Sequence, residues 1–383
     1  MGMVILDPAQ LATLQKLQAR FAQLPDVRQP GKVLHRLDEV LMVALCTVLC
    51  DGESFLEMED FAQTQLPWLR TFLQLENGAP SHDVFRNVLL ALEPSALLSI
   101  LTEWCGELTG KHVAIDGKAL RGTYNAEKGR YLVHLVRAWV DAYSLSAGQV
   151  TCAEKSNEIE AIPRLLESLN LQGATVTLDA MGTHPPIAEQ IHEAGADYVL
   201  SLKGNQKGAL EAVQAHFEEF VAAEKSCAKH PMIETLELSH GRCERREYTI
   251  TDQLDWFHKS WKWAGLQSVA QVRRFTQRNH KDRMQEEVHY FLCSFPADAA
   301  RLAQLVRGHW SVENRCHWVL DVTFGEDHCQ VRDKKAAHNL SILREMVMKA
   351  LRAEPSKLSL HRKRRRAALD PSFRLHLLGF LHA

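Results

Sequence analysis

The sequence has no apolar run approaching the roughly 18 residues of a membrane span. The longest, Val40 to Cys50, is too short and sits inside a helical pattern. No basic stretch followed by an apolar segment and a small-residue cleavage site opens the chain, so no secretory signal is legible. Nine cysteines are present without a single C-x-x-C pair. An odd, scattered set argues against a disulfide framework and against zinc, and is expected to be reduced in a cytoplasmic protein. There is no internal repeat and no low-complexity linker. Nor is there an excess of one charge: 45 Lys and Arg face 47 Asp and Glu, a net charge of −2, which at first argues against a nucleic-acid partner. What remains is a globular composition, 46% hydrophobic and 24% charged over 383 residues, long enough for two or three domains.

The charge is unevenly spread. Met1 to Cys105 carries seven Lys and Arg against thirteen Asp and Glu, while Arg332 to Ala383 carries thirteen against four. A basic end suits phosphate. The first hundred residues read as helical. Pro8 to Leu24 is amphipathic and Leu37 to Leu49 strongly apolar at helical spacing. Asp51-Gly52 and Glu76-Asn77-Gly78 are breaks. Ser81 is placed to cap a helix from Asp83 to Leu92, and Pro94-Ser95 opens another to about Cys105.

The pattern then changes. Strands are predicted at His112–Ile115, Tyr131–Ala142 and Gln149–Ala153, then at Ala174–Leu178 and Tyr198–Leu202. Between them, Asn157 and Glu160 form a capping-box pattern for a helix to Leu169, and Pro185–Ala194 is a second helix. This order implies an α/β chain with a mixed sheet flanked by helices. Four more strands are expected at Glu234–Leu238, Arg245–Ile250, Ser268–Phe275 and Glu287–Phe295, a β-rich insertion. Helix returns at Ala299 and runs through Trp310, Glu313 and His317.

Asp116 and Asp179 follow predicted strands directly. Ligands gather at the carboxyl ends of such strands, and two converging carboxylates repel unless a cation lies between them. Hard oxygen donors suit magnesium or manganese. The competing reading makes each Asp an ordinary strand-end turn residue. Glu313 shares a helix face with Trp310 and His317, where a carboxylate must be paired or metal-bound. It competes with a surface Glu paired to Arg315 or Arg307. Glu326 and Asp327 are rival acids that read as solvent-facing, and Trp310 and Trp318 read as core in preference to base-stacking groups.

Together these residues resemble a known family. His112-Val-Ala-Ile-Asp116-Gly-Lys-Ala-Leu-Arg-Gly122 is similar to the first-aspartate block of the H-repeat-associated (ISAs-type) insertion-sequence transposases of the DDE superfamily. Lys155-Ser-Asn-Glu-Ile159, Thr177-Leu-Asp179-Ala-Met-Gly182 and Tyr198-Val-Leu-Ser-Leu-Lys-Gly-Asn-Gln206 resemble its next blocks. His240-Gly-Arg-Cys-Glu-Arg-Arg246 resembles a block within the inserted strands. His309-Trp-Ser-Val-Glu313, continuing to Glu326-Asp327, resembles the third-acid signature. Leu24-Pro-Asp26 and Pro80-Ser-His-Asp83 resemble the domain found ahead of that catalytic region, so the likeness covers nearly the whole chain.

The resemblance implies a ribonuclease-H-like fold, with Asp116, Asp179 and Glu313 as catalytic acids and ligands of two Mg2+ (or Mn2+) ions. It implies a cytoplasmic DNA transposase that cleaves phosphodiesters and transfers strands. Its partners would be double-stranded DNA, as element ends and target, and further copies of itself on that DNA. The implied units are a helical transposase-associated domain at 1–105, a catalytic domain at 106–350 interrupted at about 226–295, and a basic tail at 351–383. Lys118, Arg121, Lys203, Asn205 and the run Arg362, Lys363, Arg364, Arg365, Arg366 are candidate DNA contacts. A catalytically inactive or domesticated DNA-binding protein of the same fold, or a cleavage-only nuclease, stays open at this point. His184-Pro185-Pro186 and Arg315-Cys316 depart from the family pattern. His309 and Leu320 stand where related transposases carry arginine and lysine, so no helper role is transferred to them.

Overall fold

The computed structural model describes residues 8–152, 158–222, 231–239, 242–277 and 284–381. Asn157, its capping box and most of the 155–159 block lie outside them, as do His240 and Gly241.

Six helices open the chain: α1 (Pro8–Ala22), α2 (Leu37–Leu49), α3 (Phe55–Thr64), α4 (Leu66–Leu69), α5 (His82–Ala91) and α6 (Pro94–Glu103). Every residue of α2 is buried, as a helix apolar on all sides requires. Even its first-turn acids are used. Glu39 accepts the Gln74 and Leu75 N–H groups at 2.8 and 2.9 Å. Ser81 occupies the cap position of α5 without a side-chain bond; the carboxylate of Glu59 accepts the His82 N–H instead, at 2.8 Å.

Among the described residues, eleven strands and four helices follow in mixed order. They are β1 (His112–Ala119), β2 (Tyr124–Asn125), β3 (Arg130–Tyr131), β4 (His134–Val140), β5 (Leu145–Cys152), α7 (Glu158–Glu167), β6 (Thr175–Leu178), α8 (Pro185–Glu193), β7 (Asp197–Leu202) and α9 (Lys207–Ala222), then β8 (Met232–Ser239), β9 (Arg242–Thr251), the short α10 (Asp255–His258), β10 (Ser268–Gln277) and β11 (Gln285–Cys293). Nine of the strands form one sheet in the order β5-β4-β1-β6-β7-β11-β10-β9-β8. β1, β6 and β7 are parallel, and their apolar residues are buried on both faces. The antiparallel β1-β4-β5 meander beside them completes a ribonuclease-H-like mixed sheet flanked by helices. The β-rich insertion is not a separate layer. β11 pairs with β7, with Cys293 opposite Val199, so the inserted strands prolong the catalytic sheet.

The chain closes with α11 (Ala299–His309), a π-helical turn at Val312–His317, α12 (Trp318–Phe324), α13 (Lys334–Ala353), α14 (Leu360–Leu369) and α15 (Pro371–Leu378). Here the sequence reading needs correction. The basic residues of 351–381 are not all in solvent: α14 and α15 pack on the N-terminal helices, and Lys363, Arg364 and Arg374 are buried. No single helix among the described residues is long and apolar enough to cross a membrane.

Candidate active site

The register of two parallel strands places the first two acids. Ile115 lies opposite Leu178, so the next residues, Asp116 and Asp179, stand abreast. β1 does not end at Asp116 as predicted; it continues along β4 to Ala119, while β6 stops at Leu178. Asp179 caps the turn that follows. Its Oδ1 accepts the Met181 N–H at 2.9 Å, which fixes the carboxylate.

The third acid comes from the helix crossing the same sheet face. The helix is not continuous; the π turn at Val312–His317 interrupts it, with Val312, Cys316 and His317 turned inward and Glu313 outward. Such turns recur at functional sites because they re-aim side chains. Asp116, Asp179 and Glu313 line one cleft of about 480 Å³, together with Lys203, His309 and Trp310. Neither Arg307 nor Arg315 pairs with Glu313; they bond Glu237 and Asp141.

Burial pushes the Asp116 carboxyl up to about 7, and the neighbouring Asp179 adds to it, with smaller contributions from Glu313 and Glu158. A carboxylate that resists its own charge beside two more acids is the donor chemistry a hard cation relieves. Among the described residues there is no cluster of three or more His, Cys, Asp or Glu side chains arranged to hold a metal ion; what joins the three acids is the cleft they line. His317 Nδ1 lies 3.4 Å from Asp116 Oδ2. Burial, with Arg137 and Lys118 nearby, holds this imidazole neutral.

A polar relay supports the cleft wall. His112 Nε2 and His309 Nδ1 bond the same Thr177 hydroxyl, at 2.8 and 2.7 Å. Gly308 makes room for it, since a Cβ there would sit 2.7 Å from His112 Nδ1. Burial holds His112 and His309 at about 4, and His338, on α13, at about 3.

These imidazoles have a consequence for stability. Each is neutral in the folded chain but takes a proton in the unfolded chain near its ordinary 6.5. The unfolded state therefore binds more protons below 6.5, and stability is lost as pH falls from there towards 4. Asp116 opposes this, because its folded form keeps a proton up to about 7. His317 and Glu326, both lowered, act with the imidazoles, while the raised carboxyls of Glu53, Asp321 and Glu345 act with Asp116. Relative to the parent, His338→Gln is expected to lose less of its thermal midpoint between pH 7 and pH 4.5. Parallel slopes for parent and variant would refute the assignment.

The remaining predicted contacts divide. Lys203 lines the cleft. Arg121 is exposed, its Nε 3.4 Å from Asp327. Lys118 is not free for phosphate; it is largely buried and bonds Asp321, with Glu326 and Asp327 at 3.7 and 3.6 Å. The Asn205 amide donates to the Ala180 carbonyl at 2.7 Å and so braces the turn after Asp179. Lys363 and Arg364 face the interior; Arg362, Arg365 and Arg366 face solvent.

Sequence reasoning missed the support behind the acids. Arg137 is fully buried, and its guanidinium bonds both Glu326 oxygens at 3.0 and 3.1 Å, Glu345 at 3.1 Å and Ser341 at 2.7 Å. Glu326 is therefore not solvent-facing. Burial alone would raise its carboxyl, but Arg137 and then Lys118 hold it down to about 2. A lone Arg inside the apolar strand Leu135-Val-Arg137-Ala-Trp139 was the available signal. Trp310 and Trp318 also depart from expectation: both are exposed.

The nine-stranded mixed sheet, with one acid within β1, one just past the end of the adjacent β6 and one on a crossing helix, defines a ribonuclease-H-like fold. Comparison with known proteins narrows this. Residues 107–348 match the family described as Transposase DDE domain, and residues 18–105 match the DDE_Tnp_1-associated family. The chain is 35% identical over 374 residues to the H repeat-associated putative transposase YhhI of Escherichia coli (strain K12), covering 96% of this chain and 98% of that one. It is 35% identical to the putative transposase YncI of Escherichia coli O157:H7, covering 94% of each. The synaptic complex of piggyBac transposase with hairpin DNA aligns at 11% identity over 94% of this chain and 84% of that one, with a TM-score of 0.35, too distant to bear on the argument. The chain belongs to the DDE-superfamily transposases, within the H-repeat-associated, ISAs-type group.

Proposed function

We propose that this chain cuts and joins DNA strands at the ends of an insertion element, with Asp116, Asp179 and Glu313 holding two Mg2+ (or Mn2+) ions. The observation that carries this reading is that the three acids line one cleft in a chain of this family. Bound divalent ions would supply a nucleophilic water or 3′-hydroxyl near neutral pH and stabilise the leaving oxygen. The protein's part is positioning. Asp116 meets the substrate from a buried strand, Asp179 from a capped turn and Glu313 from a π turn. Lys203 is placed to bind a phosphate beside them. The relay through Thr177 holds His309 against the cleft, and Arg137 ties β4 to α13 behind it. On this reading, residues 106–350 are the catalytic unit, interrupted by the inserted strands, and 1–105 the associated helical unit. Double-stranded DNA is the partner, bound by copies of the chain acting together.

The test uses duplexes bearing the terminal sequences of the DNA element that encodes the chain, with Mg2+ and a plasmid target. Covalently joined product is the expected result. Nicking without joining would make the chain a nuclease, and binding without nicking an inactive DNA-binding protein. Absence of any DNA binding would overturn the reading altogether.

A further inference from the structure

The chain contains eight tryptophans, all among the described residues, and Trp310 and Trp318 are the two that stand exposed, at 45% and 58%. Both flank Glu313. An exposed indole leaves a large apolar face in water, so two on the helix that carries a cleft acid call for an occupant. We propose that Trp310 and Trp318 form a platform on which unpaired nucleobases stack beside the reacting phosphodiester; this rests on the DNA reading above.

The local geometry favours this. In a regular helix, positions eight apart diverge by about 80° around the axis. The intervening π turn accommodates roughly one extra residue, which reduces the divergence to about 20°. Exposure agrees, for Trp310, Asn314, Trp318 and Val322 form one exposed stripe while Val312, Cys316, Val319 and Leu320 are buried beneath it. Trp310 and Asn314 line the acid cleft itself, so the stripe continues from it onto the outer surface. Eight residues span roughly 12 Å of helix. Adjacent bases lie about 3.4 Å apart along a strand, so the two rings take separate bases.

The chemistry selects bases over backbone. A duplex is held mainly by cations on its phosphates, whereas the cation on the stripe itself, Arg315, is engaged by Asp141 at 2.6 Å, and Arg246, Arg274 and Arg307 in the cleft beside Trp310 pair with Glu244 and Glu237. Flat aromatic faces take the π-face of any base without sequence preference. The platform thus suits DNA opened at or beside the cut, not an intact helix.

The test measures binding of a single-stranded oligo-dT and of a blunt duplex, following tryptophan fluorescence. Parent protein is expected to show quenching on the single strand. Trp310→Ala and Trp318→Ala should each weaken single-strand binding about five- to 150-fold, the range of one lost stack. Duplex affinity should change little, and Trp→Phe should restore part of the loss. Both side chains lie on the surface, so the variants are expected to fold, which their melting curves verify. Single-strand affinity and quenching unchanged in the double variant would overturn the platform while leaving DNA cutting intact. So would loss of a dimer by light scattering with DNA binding unaltered, since the face would then seat a second copy. A parent that binds neither probe would overturn the DNA reading, and the platform with it.

Discussion

Asp179→Asn is expected to abolish DNA cleavage while the fold and DNA binding persist. The carboxylate has two tasks that an amide separates. Its Oδ1 caps the turn at Ala180–Gly182 by accepting the Met181 N–H, and an Asn side-chain oxygen accepts that bond equally well. The negative charge that a hard cation needs is lost. Losing one preorganised electrostatic group at a reacting centre costs about a hundredfold or more in rate. Asp116→Asn adds a second signature. Above pH 7 it removes a charge disfavoured by burial, then by Asp179 and Glu313, so there the metal-free protein should melt at higher temperature even as cleavage disappears. Cleavage within a few-fold of the parent across a Mg2+ titration of Asp179→Asn would refute its assignment.

The elements legible in the sequence were those whose burial is simple. β1, β6 and β7 are apolar runs covered on both faces, and their predicted positions agree with the structure to within a few residues at their ends. Leu37–Leu49 was legible for the same reason. The acids were legible because Asp116 and Asp179 each follow an apolar run, and Glu313 sits in a motif-rich helix. What escaped was governed by long-range partners. Glu326 reads as solvent-facing and Arg137 goes unremarked inside a strand, yet each is buried because the other is there. Trp310 and Trp318 read as core because aromatic residues at helical spacing normally are; the π turn that turns them outward has no residue signature. The helix α3 was missed although Ser54-Phe-Leu-Glu57 is a complete capping box, with both reciprocal bonds formed.

The basic run near the C-terminus makes the same point with the largest expected effect on stability. Its members look equivalent in sequence and are opposite in structure. Arg364 is 1% exposed. Its guanidinium donates to the Val48 carbonyl at the end of α2 at 2.7 and 3.1 Å, meets Asp51 at 3.0 Å and Glu53 at 2.5 Å, and lies 4.4 Å over the Phe324 ring. It therefore pins α14 to the N-terminal helices and to α12. Breaking a buried ion pair from one side costs about 3–5 kcal/mol, against a total stability on the order of 5–15 kcal/mol. Arg364→Ser is expected to shift the denaturant midpoint sharply downward. Arg362 and Arg365 face solvent, and replacing both with Ser should stay within about 0.5 kcal/mol per site. Their effect should appear in DNA binding instead. Each phosphate that is no longer neutralised makes the log–log salt dependence on an unrelated duplex shallower by roughly 0.9. Stability and salt slope thus separate the two kinds of arginine in one segment. An Arg364→Ser protein as stable as the parent would remove Arg364 from the frame of the fold, and an unchanged salt slope for Arg362→Ser with Arg365→Ser would move the DNA path to the surface around Arg121 and Lys203.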